Sequence, residues 1–180
     1  MATRLRRAAI AIATAVLIGG CGIGGGPSAP APPAGSSGPG TAVTAAVIQT
    51  RTAIAGVLGG TAVQLGNATR PYVPAESARL RKAPRAVYQV TLADQPNAGF
   101  VVVYEFSDAA AAVDAGNEEA GYLGTGVGKV QFPPDAQHVL RALGTTLVLY
   151  TWSPSASSDP TAASVAAALS TLGIGFAVPR

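Results

Sequence analysis

Side chains that could do chemistry are few in this chain of 180 residues. It has one cysteine, Cys21, and one histidine, His138. A zinc site needs about three or four good ligands, so a lone histidine cannot build one. As a general base, His138 would need a nucleophile and an orienting acid, which the sequence cannot place beside it. We therefore expect a structural histidine, and we predict no metal and no cofactor.

The segment Gly121–Lys129 is the nearest approach to a phosphate-binding loop. A P-loop would need glycine where Leu123 stands and a hydroxyl residue where Val130 stands, and the dinucleotide pattern G-x-G-x-x-G also fails. In both motifs the loop leads from a strand into a helix, whereas this segment follows a predicted helix. It therefore predicts a helix C-terminus and a mobile loop. Its candidate binding residues are Gly124, Gly126 and Gly128.

The acidic residues show no catalytic pairing. Asp114 and Glu118 fall on the outward face of a predicted helix and Glu119 at its border, which indicates a solvated face. Glu105 differs because it lies in an apolar strand. We expect it at a sheet edge or paired with Arg141 on a neighbouring strand; the alternative is a buried acid with a raised pKa. The hydrolase motif G-x-S-x-G is absent.

The first residues have the layout of an export signal. Three arginines, Arg4, Arg6 and Arg7, precede an uncharged run of 11 residues, Ala8–Ile18. Because a membrane-spanning helix needs roughly 20 apolar residues, the pattern favours a secretory signal. The residues that follow, Ile18-Gly19-Gly20-Cys21, resemble the lipobox of bacterial lipoproteins.

This resemblance implies that residues 1–20 are removed and that Cys21 carries a diacylglycerol through a thioether. Gly19 is a less common residue at its position. Two acyl chains anchor a protein stably, whereas one binds only marginally. The resemblance thus implies a protein held at the extracytoplasmic face of the cell membrane. Two alternatives stay open: an ordinary secretory signal that happens to include a cysteine, and an uncleaved short anchor.

The charge balance changes once the signal is set aside. The whole chain has 12 basic and 9 acidic residues, a net charge of +3 and a pI of about 9.4. Three of the 12 basic residues belong to the signal, which leaves nine against nine. Because nucleic-acid binding needs a basic face, we predict no nucleic-acid partner.

Residues 21–40 form a predicted tether, and residues 41–180 a small α+β domain. The tether consists almost entirely of Gly, Pro, Ala and Ser, so it cannot bury enough apolar surface to order itself. About 20 flexible residues span roughly 25 Å, enough to lift a domain from the lipid headgroups.

Hydrophobic periodicity then predicts the elements of the domain. Helices are predicted at Thr41–Leu58, Asp108–Tyr122 and Asp159–Leu172, with a short helical turn at Glu76–Lys82. Gly116 falls on the apolar stripe of the second helix, where it should allow close packing. Strands are predicted at Ala86–Leu92, Phe100–Phe106, His138–Leu143 and Thr145–Trp152.

The order of these elements indicates two β-β-α units. Such units most simply make one four-stranded antiparallel sheet with two helices on a single face, plus the N-terminal helix. A coincidence of element order is the alternative. Both faces of the strands are apolar, so this arrangement leaves one face needing cover. The residues expected on it are Val101, Val103, Leu147 and Leu149.

The functional hypotheses depend on what covers this apolar face. The N-terminal helix could cover it; otherwise an apolar ligand or a protein partner would. We expect a non-catalytic, lipid-anchored envelope protein that binds a ligand or supports an assembly. The alternatives are an envelope hydrolase acting on cell-wall material through Glu105, His138 and Arg141, and a structural envelope spacer. The domain otherwise resembles only uncharacterised exported bacterial proteins.

Overall fold

The structure, a computed structural model, describes residues 43–92, 95, 98–157 and 159–180. The predictions for the export signal, for Cys21 and for the tether lie outside these residues. The helices are α1 Ala45–Leu58, α2 Ala78–Lys82, α3 Ala109–Gly124, α4 Gly126–Lys129 and α5 Pro160–Leu169. The strands are β1 Leu65–Asn67, β2 Arg85–Val90, β3 Phe100–Glu105, β4 Gln137–Leu143, β5 Thr146–Trp152 and β6 Ile174–Gly175.

Six strands form one open antiparallel sheet in the order β1-β2-β3-β5-β4-β6. The α+β class is therefore confirmed, whereas the predicted count of four strands is wrong. The four predicted strands correspond to β2, β3, β4 and β5. The two additional strands, β1 and β6, are edges of three and two residues. Segments this short cannot show the alternation by which a strand is recognised in a sequence.

The pairing of the two central strands decides which side chains share a face. Val102 lies opposite Leu149, and Val103 lies opposite Val148. The face that we call face 1 therefore carries Val101, Val103, Val148 and Tyr150. The opposite face, face 2, carries Val102, Tyr104, Leu147 and Leu149. The prediction that Val101 and Val103 lie beside Leu147 and Leu149 is wrong, because a register change of one residue moves a whole set of side chains to the other face.

Helices cover both faces of the sheet. The apolar sides of α1 and α5 pack on face 1, and those of α2 and α3 pack on face 2. The prediction of two helices on a single face is therefore wrong. Since both faces of β3 and β5 are apolar, each face needs cover, and placing α3 and α5 on opposite sides supplies it.

The helix starts follow from capping residues. Thr44 caps α1 by accepting a hydrogen bond from the N–H of Val47 (3.3 Å), so this helix begins at Ala45 and not at Thr41. Asp108 caps α3, and Asp159 caps α5, which begins with a proline. Both aspartates stand at the first residue of a predicted helix, and aspartate is a residue type favoured as an N-cap.

The C-terminal residues 176–180, which we call the C-terminal strap, pack against α3. The ring of Phe176 lies over Gly116, where a Cβ atom would collide with it. Farther along the helix, a Cβ built on Gly124 would lie 2.6 Å from Cδ of Pro179. These glycines let the strap approach the helix closely, as the sequence predicts for Gly116.

Candidate functional site

A pocket of about 210 Å³ lies where β5 ends and β3 and β4 begin. We call it the end pocket. Its walls come from the β2–β3 and β5–α5 connections, from the residues before β4 and from the start of α5. Ligand sites favour such places, where several connections converge on a rigid sheet. A second depression, beside Gly60 and Ser164, is lined only by small residues and carries no aromatic side chain.

Three half-buried aromatic side chains line the end pocket: Tyr72, Phe132 and Trp152. The Tyr72 ring stacks on Phe100, with 4.3 Å between ring centroids and 9° between ring planes. Phe132 meets the ring of His138 edge-on, with 4.9 Å between centroids. Such contacts fix ring orientation and contribute about 0.5–1.5 kcal/mol each beyond burial. The pocket therefore presents ordered flat surfaces.

The polar lining consists of Gln95, Thr151, Ser153 and Ser157. Among the described residues, the buried Nε1 of Trp152 and Oγ of Ser157 have no hydrogen-bond partner. Both atoms are closed off from solvent, so a molecule in the open volume of the pocket does not reach them in this structure.

A carboxylate holds the rim of the pocket together. Asp135 accepts hydrogen bonds from Oγ of Ser153 (2.6 Å), from Oγ of Ser155 (2.8 Å) and from the N–H of Ser155 (2.6 Å). The hydroxyl of Ser153, followed by the groups of Ser155, keeps the pKa of Asp135 below its usual value. The ionised Asp135 thus ties the residues before β4 to those after β5.

His138 lies beside the pocket, and its ring contacts Thr151 and Phe132. Its Nδ1 is 2.9 Å from Oγ1 of Thr151, directly across the strand pair β4–β5. Burial lowers the pKa of His138, which favours the neutral ring. With Thr151 as its hydrogen-bond partner and a phenyl ring against it, His138 has no orienting carboxylate of the kind a general base uses.

The structure does not bring together the three residues of the hydrolase hypothesis. Glu105 accepts a hydrogen bond from Oγ1 of Thr44 (2.8 Å), so its predicted ion pair with Arg141 is wrong. Arg141 instead donates to the backbone carbonyls of Leu172 and Gly173 after α5. Glu105 and Arg141 lie on one face of the sheet and His138 lies on the other, because successive residues of a strand point to opposite faces.

The four apolar residues predicted to form an uncovered face are core residues. Val101 and Val103 are buried beneath α1 and α5, and Leu147 and Leu149 beneath the helices of face 2. The exposed fraction of each is 2 % or less. No open apolar surface remains at these positions to receive a ligand or a partner.

The predicted loop Gly121–Lys129 is helical: α3 continues to Gly124, and α4 follows after one residue. Gly124 faces Pro179 of the C-terminal strap. Gly126 has φ +52°, a backbone region that favours glycine. Gly128 lies against Tyr122, where a Cβ would collide with the backbone. Gly124 and Gly128 therefore serve close packing and Gly126 serves the backbone conformation, and none of them lines the end pocket.

A buried acidic cluster under α2 was missed at the sequence level. Glu76 accepts hydrogen bonds from the Tyr104 hydroxyl (2.7 Å) and from Arg85. Glu119, predicted at a solvated border, is fully buried and accepts one bond from the N–H of Ser77 (2.8 Å). Its Oε1 has no partner among the described residues. Burial raises the pKa of Glu119, and the Ser77 N–H opposes this shift. Neither the end pocket nor the second depression includes these carboxylates, and their partners are structural groups, so we assign the cluster a structural role.

Comparisons with family models, with curated proteins and with solved structures give no match to this chain. Among the described residues, no three His, Cys, Asp or Glu side chains form a group that could hold a metal ion. In the same part of the chain, no helix is both long and apolar enough to cross a bilayer.

Proposed function

We propose that this protein is a lipid-anchored binding module at the extracytoplasmic face of the cell membrane, and that the end pocket is its ligand site. Support for the anchor comes from the sequence: three arginines, an uncharged run of 11 residues and the lipobox-like residues that end at Cys21. Two acyl chains on Cys21 would hold the domain at the membrane.

Support for binding comes from one observation, the end pocket itself. It combines three half-buried aromatic side chains with a few polar ones, such as Thr151 and Ser153. Concave apolar sites with a few polar groups are the usual form of a small-molecule site. A binding role is favoured over hydrolysis because Glu105, His138 and Arg141 each bind a different structural partner.

A thermal-shift screen of small molecules tests the proposal, since it detects any compound that binds the folded protein. A ligand at 100 times its Kd stabilises the folded state by about 2.7 kcal/mol, which raises the Tm by several degrees. The test variant is Ala136→Leu, which adds bulk to the pocket wall and keeps the backbone hydrogen bond from Ala136 N–H to Pro133.

The matched control is Ala110→Leu, which adds the same bulk to an exposed position of α3. We expect to find compounds that raise the Tm of the wild type and of Ala110→Leu but leave the Tm of Ala136→Leu unchanged. Stabilisation that is equal in all three proteins would place binding elsewhere and contradict the proposal. If no compound stabilises the wild type, a structural spacer becomes the better account.

A further inference from the structure

Three strongly exposed valines lie near one end of the sheet. Val73, Val127 and Val130 have exposed fractions of 70 %, 70 % and 79 %, the highest among the large hydrophobic side chains that the structure describes. Val73 follows Tyr72, and Val130 lies two residues before Phe132, and both of these rings line the end pocket. We call the three valines the valine surface. Single exposed apolar residues are common, whereas a group of them at one end of a domain indicates a contact surface.

The helical turn α4 presents two of these valines together. Val127 and Val130 are three residues apart, so they lie on one side of the turn. Gln131 Nε2 donates to the hydroxyl of Tyr122 (2.8 Å) and to the carbonyl of Val127 (3.1 Å), which ties the turn to α3. Gly128 packs against the backbone of Tyr122. The two valines are therefore exposed on an ordered turn.

The charges in the segments around the valine surface are positive. Residues 68–75 and 120–134, which contain the three valines, carry Arg70 and Lys129 and no acidic residue. The acid that follows, Asp135, is held by two serine side chains at the rim of the end pocket. Cations beside exposed apolar groups suit an anionic bilayer, where each Lys or Arg near the surface strengthens binding about fivefold.

The predicted tether is long enough to bring this end of the domain to the membrane. It joins the domain before α1, where Thr44 donates a hydrogen bond to Glu105 at the end of β3. The valine surface lies toward the other end of the sheet, where β3 begins, and a strand of six residues spans about 20 Å. The tether spans roughly 25 Å. Because a tethered surface stays at high local concentration beside the bilayer, weak contacts are enough to dock it.

We propose that the valine surface docks on the membrane that carries the anchor, with Val127 and Val130 entering the interface between headgroups and acyl chains and Lys129 pairing with lipid phosphates. The partner is a bilayer that contains anionic phospholipid. This inference rests on the proposed anchor and does not depend on a ligand in the end pocket. Docking gives the domain a fixed orientation, which a flexible tether alone does not provide.

Quenching of a fluorescent label by lipids tests this orientation. The full chain is made in cells that process lipoproteins and is placed in vesicles of phosphatidylcholine, with or without phosphatidylglycerol, that carry a nitroxide quencher on a lipid headgroup. Thr125→Cys places the label beside α4, and Gln49→Cys places it on an exposed position of α1 near the tether. Because Cys21 is the only natural cysteine and is acylated in the proposed protein, each variant takes one label.

In vesicles that contain phosphatidylglycerol, we expect stronger quenching at position 125 than at position 49. A domain that only hangs from its tether gives the reverse order, because position 49 lies nearer the attachment. Val127→Ser combined with Val130→Ser should abolish the excess at position 125. The matched control, Val43→Ser combined with Ile48→Ser, removes two exposed apolar side chains near the start of α1 and should keep the excess.

The lipid dependence tests the charge. Without phosphatidylglycerol, the ratio of docked to undocked protein should fall at least about fivefold, the effect of one cation near the surface. Docking that is equal in both kinds of vesicle overturns an anionic partner. Equal quenching at the two positions, or an excess at position 125 that survives the loss of both valines, overturns the proposal. The Tm of each double variant should match the wild type, which shows that the variants are folded.

Two further outcomes separate the alternatives. If the label at position 125 quenches itself as protein density rises and lipids do not quench it, the valine surface is a contact between copies of this chain, and membrane docking is wrong. A second label in the measured mass of either variant shows that Cys21 is free and that the proposed anchor fails. Cys21→Ala is then added to both variants, and the same comparison of positions 125 and 49 still decides whether the valine surface docks.

Discussion

Glu119 shows how the surroundings of one residue set its chemistry. Its neighbour in sequence, Glu118, is about one-third exposed and pairs with Arg79 at 3.0 Å. Glu119 points inward, where its Oε1 meets no donor among the described residues and where Glu76 lies close enough to repel it. A buried acid in such a place favours the protonated form.

The contribution of Glu119 to stability should therefore fall as pH rises, whereas that of His138, whose pKa is lowered, should rise. Because the pKa of Glu119 is raised in the folded state, the unfolded chain ionises first, and the native state loses relative stability from about pH 4.5, the unfolded value, up through the folded pKa. Glu119→Gln should remove this fall and raise the free energy of unfolding at neutral pH by about 1–3 kcal/mol, the cost of a buried unpaired group.

Urea unfolding between pH 4 and pH 8 measures this effect. The matched control is Glu118→Gln, which breaks an exposed ion pair and should cost about 0–1 kcal/mol with little change in the pH profile. A difference in stability between the wild type and Glu119→Gln that stays constant with pH would contradict the assignment. Glu76, Arg85 and Tyr104 belong to the same cluster and stay intact in both variants.

At the scale of elements, the packing of the C-terminal strap on α3 depends on the contact between a glycine and an aromatic ring. Gly116 and Gly121 lie in the same helix, and each would gain about 0.5–1 kcal/mol of helix propensity if replaced by alanine. A Cβ at Gly121 meets nothing within 4 Å, whereas one at Gly116 meets the ring of Phe176. The two substitutions therefore differ mainly in whether the new Cβ atom disturbs the packing of the C-terminal strap.

We expect Gly121→Ala to stabilise the protein and Gly116→Ala to be at least about 1 kcal/mol less stable than Gly121→Ala, because Phe176 must leave its place. Chemical denaturation gives the difference, and amide exchange of residues 174–180 should quicken in Gly116→Ala alone. Equal stabilisation by both variants would show that Phe176 does not pack on Gly116 in solution.

The elements with a clear hydrophobic period could be predicted from the sequence. The strands β3 and β5 and the aspartate caps of α3 and α5 are examples. The register between β3 and β5 could not, because both faces of each strand are apolar and the alternation does not favour one pairing. That ambiguity produced the wrong grouping of Val101 with Leu147, whereas the wrong placement of the helices followed from the recurring order of elements.

The candidate site was harder to predict than the fold. The walls of the end pocket come from segments far apart in sequence, such as Tyr72, Phe132 and Trp152. No local motif links such residues, since only the folded sheet brings them together. The one usable signal was Trp152, a lone tryptophan at a strand end beside a Ser-Pro-Ser segment, where a polar atom of a large side chain needs a partner.

At the scale of the whole molecule, the two β-β-α units share an order of elements but no rotational symmetry. A rotation that superimposes β3 on its antiparallel neighbour β5 keeps each face of the sheet on its own side. It would therefore bring α3 onto the same face as α5. These helices lie on opposite faces, so the recurrence of element order is not a two-fold repeat.

The proposed anchor is also a property of the whole chain. In bacterial cells that process lipoproteins, labelled palmitate should enter the wild-type protein and be absent from Cys21→Ala, which should leave the membrane fraction. Arg51→Ala, an exposed change in α1, serves as the processing control. Release of both proteins unlabelled would indicate an ordinary secretory signal. Retention of both without label would indicate an uncleaved anchor.

The most direct measurement of the central claim is the small-molecule content of the protein purified in detergent from the cells that make it. Mass spectrometry of the extracted ligands would compare the wild type with Ala136→Leu and Ala110→Leu. We predict a small molecule bound to the wild type and to Ala110→Leu, depleted by about tenfold or more in Ala136→Leu, a loss of about 1.4 kcal/mol in binding. The same compounds in equal amounts in all three proteins would contradict a ligand site in the end pocket.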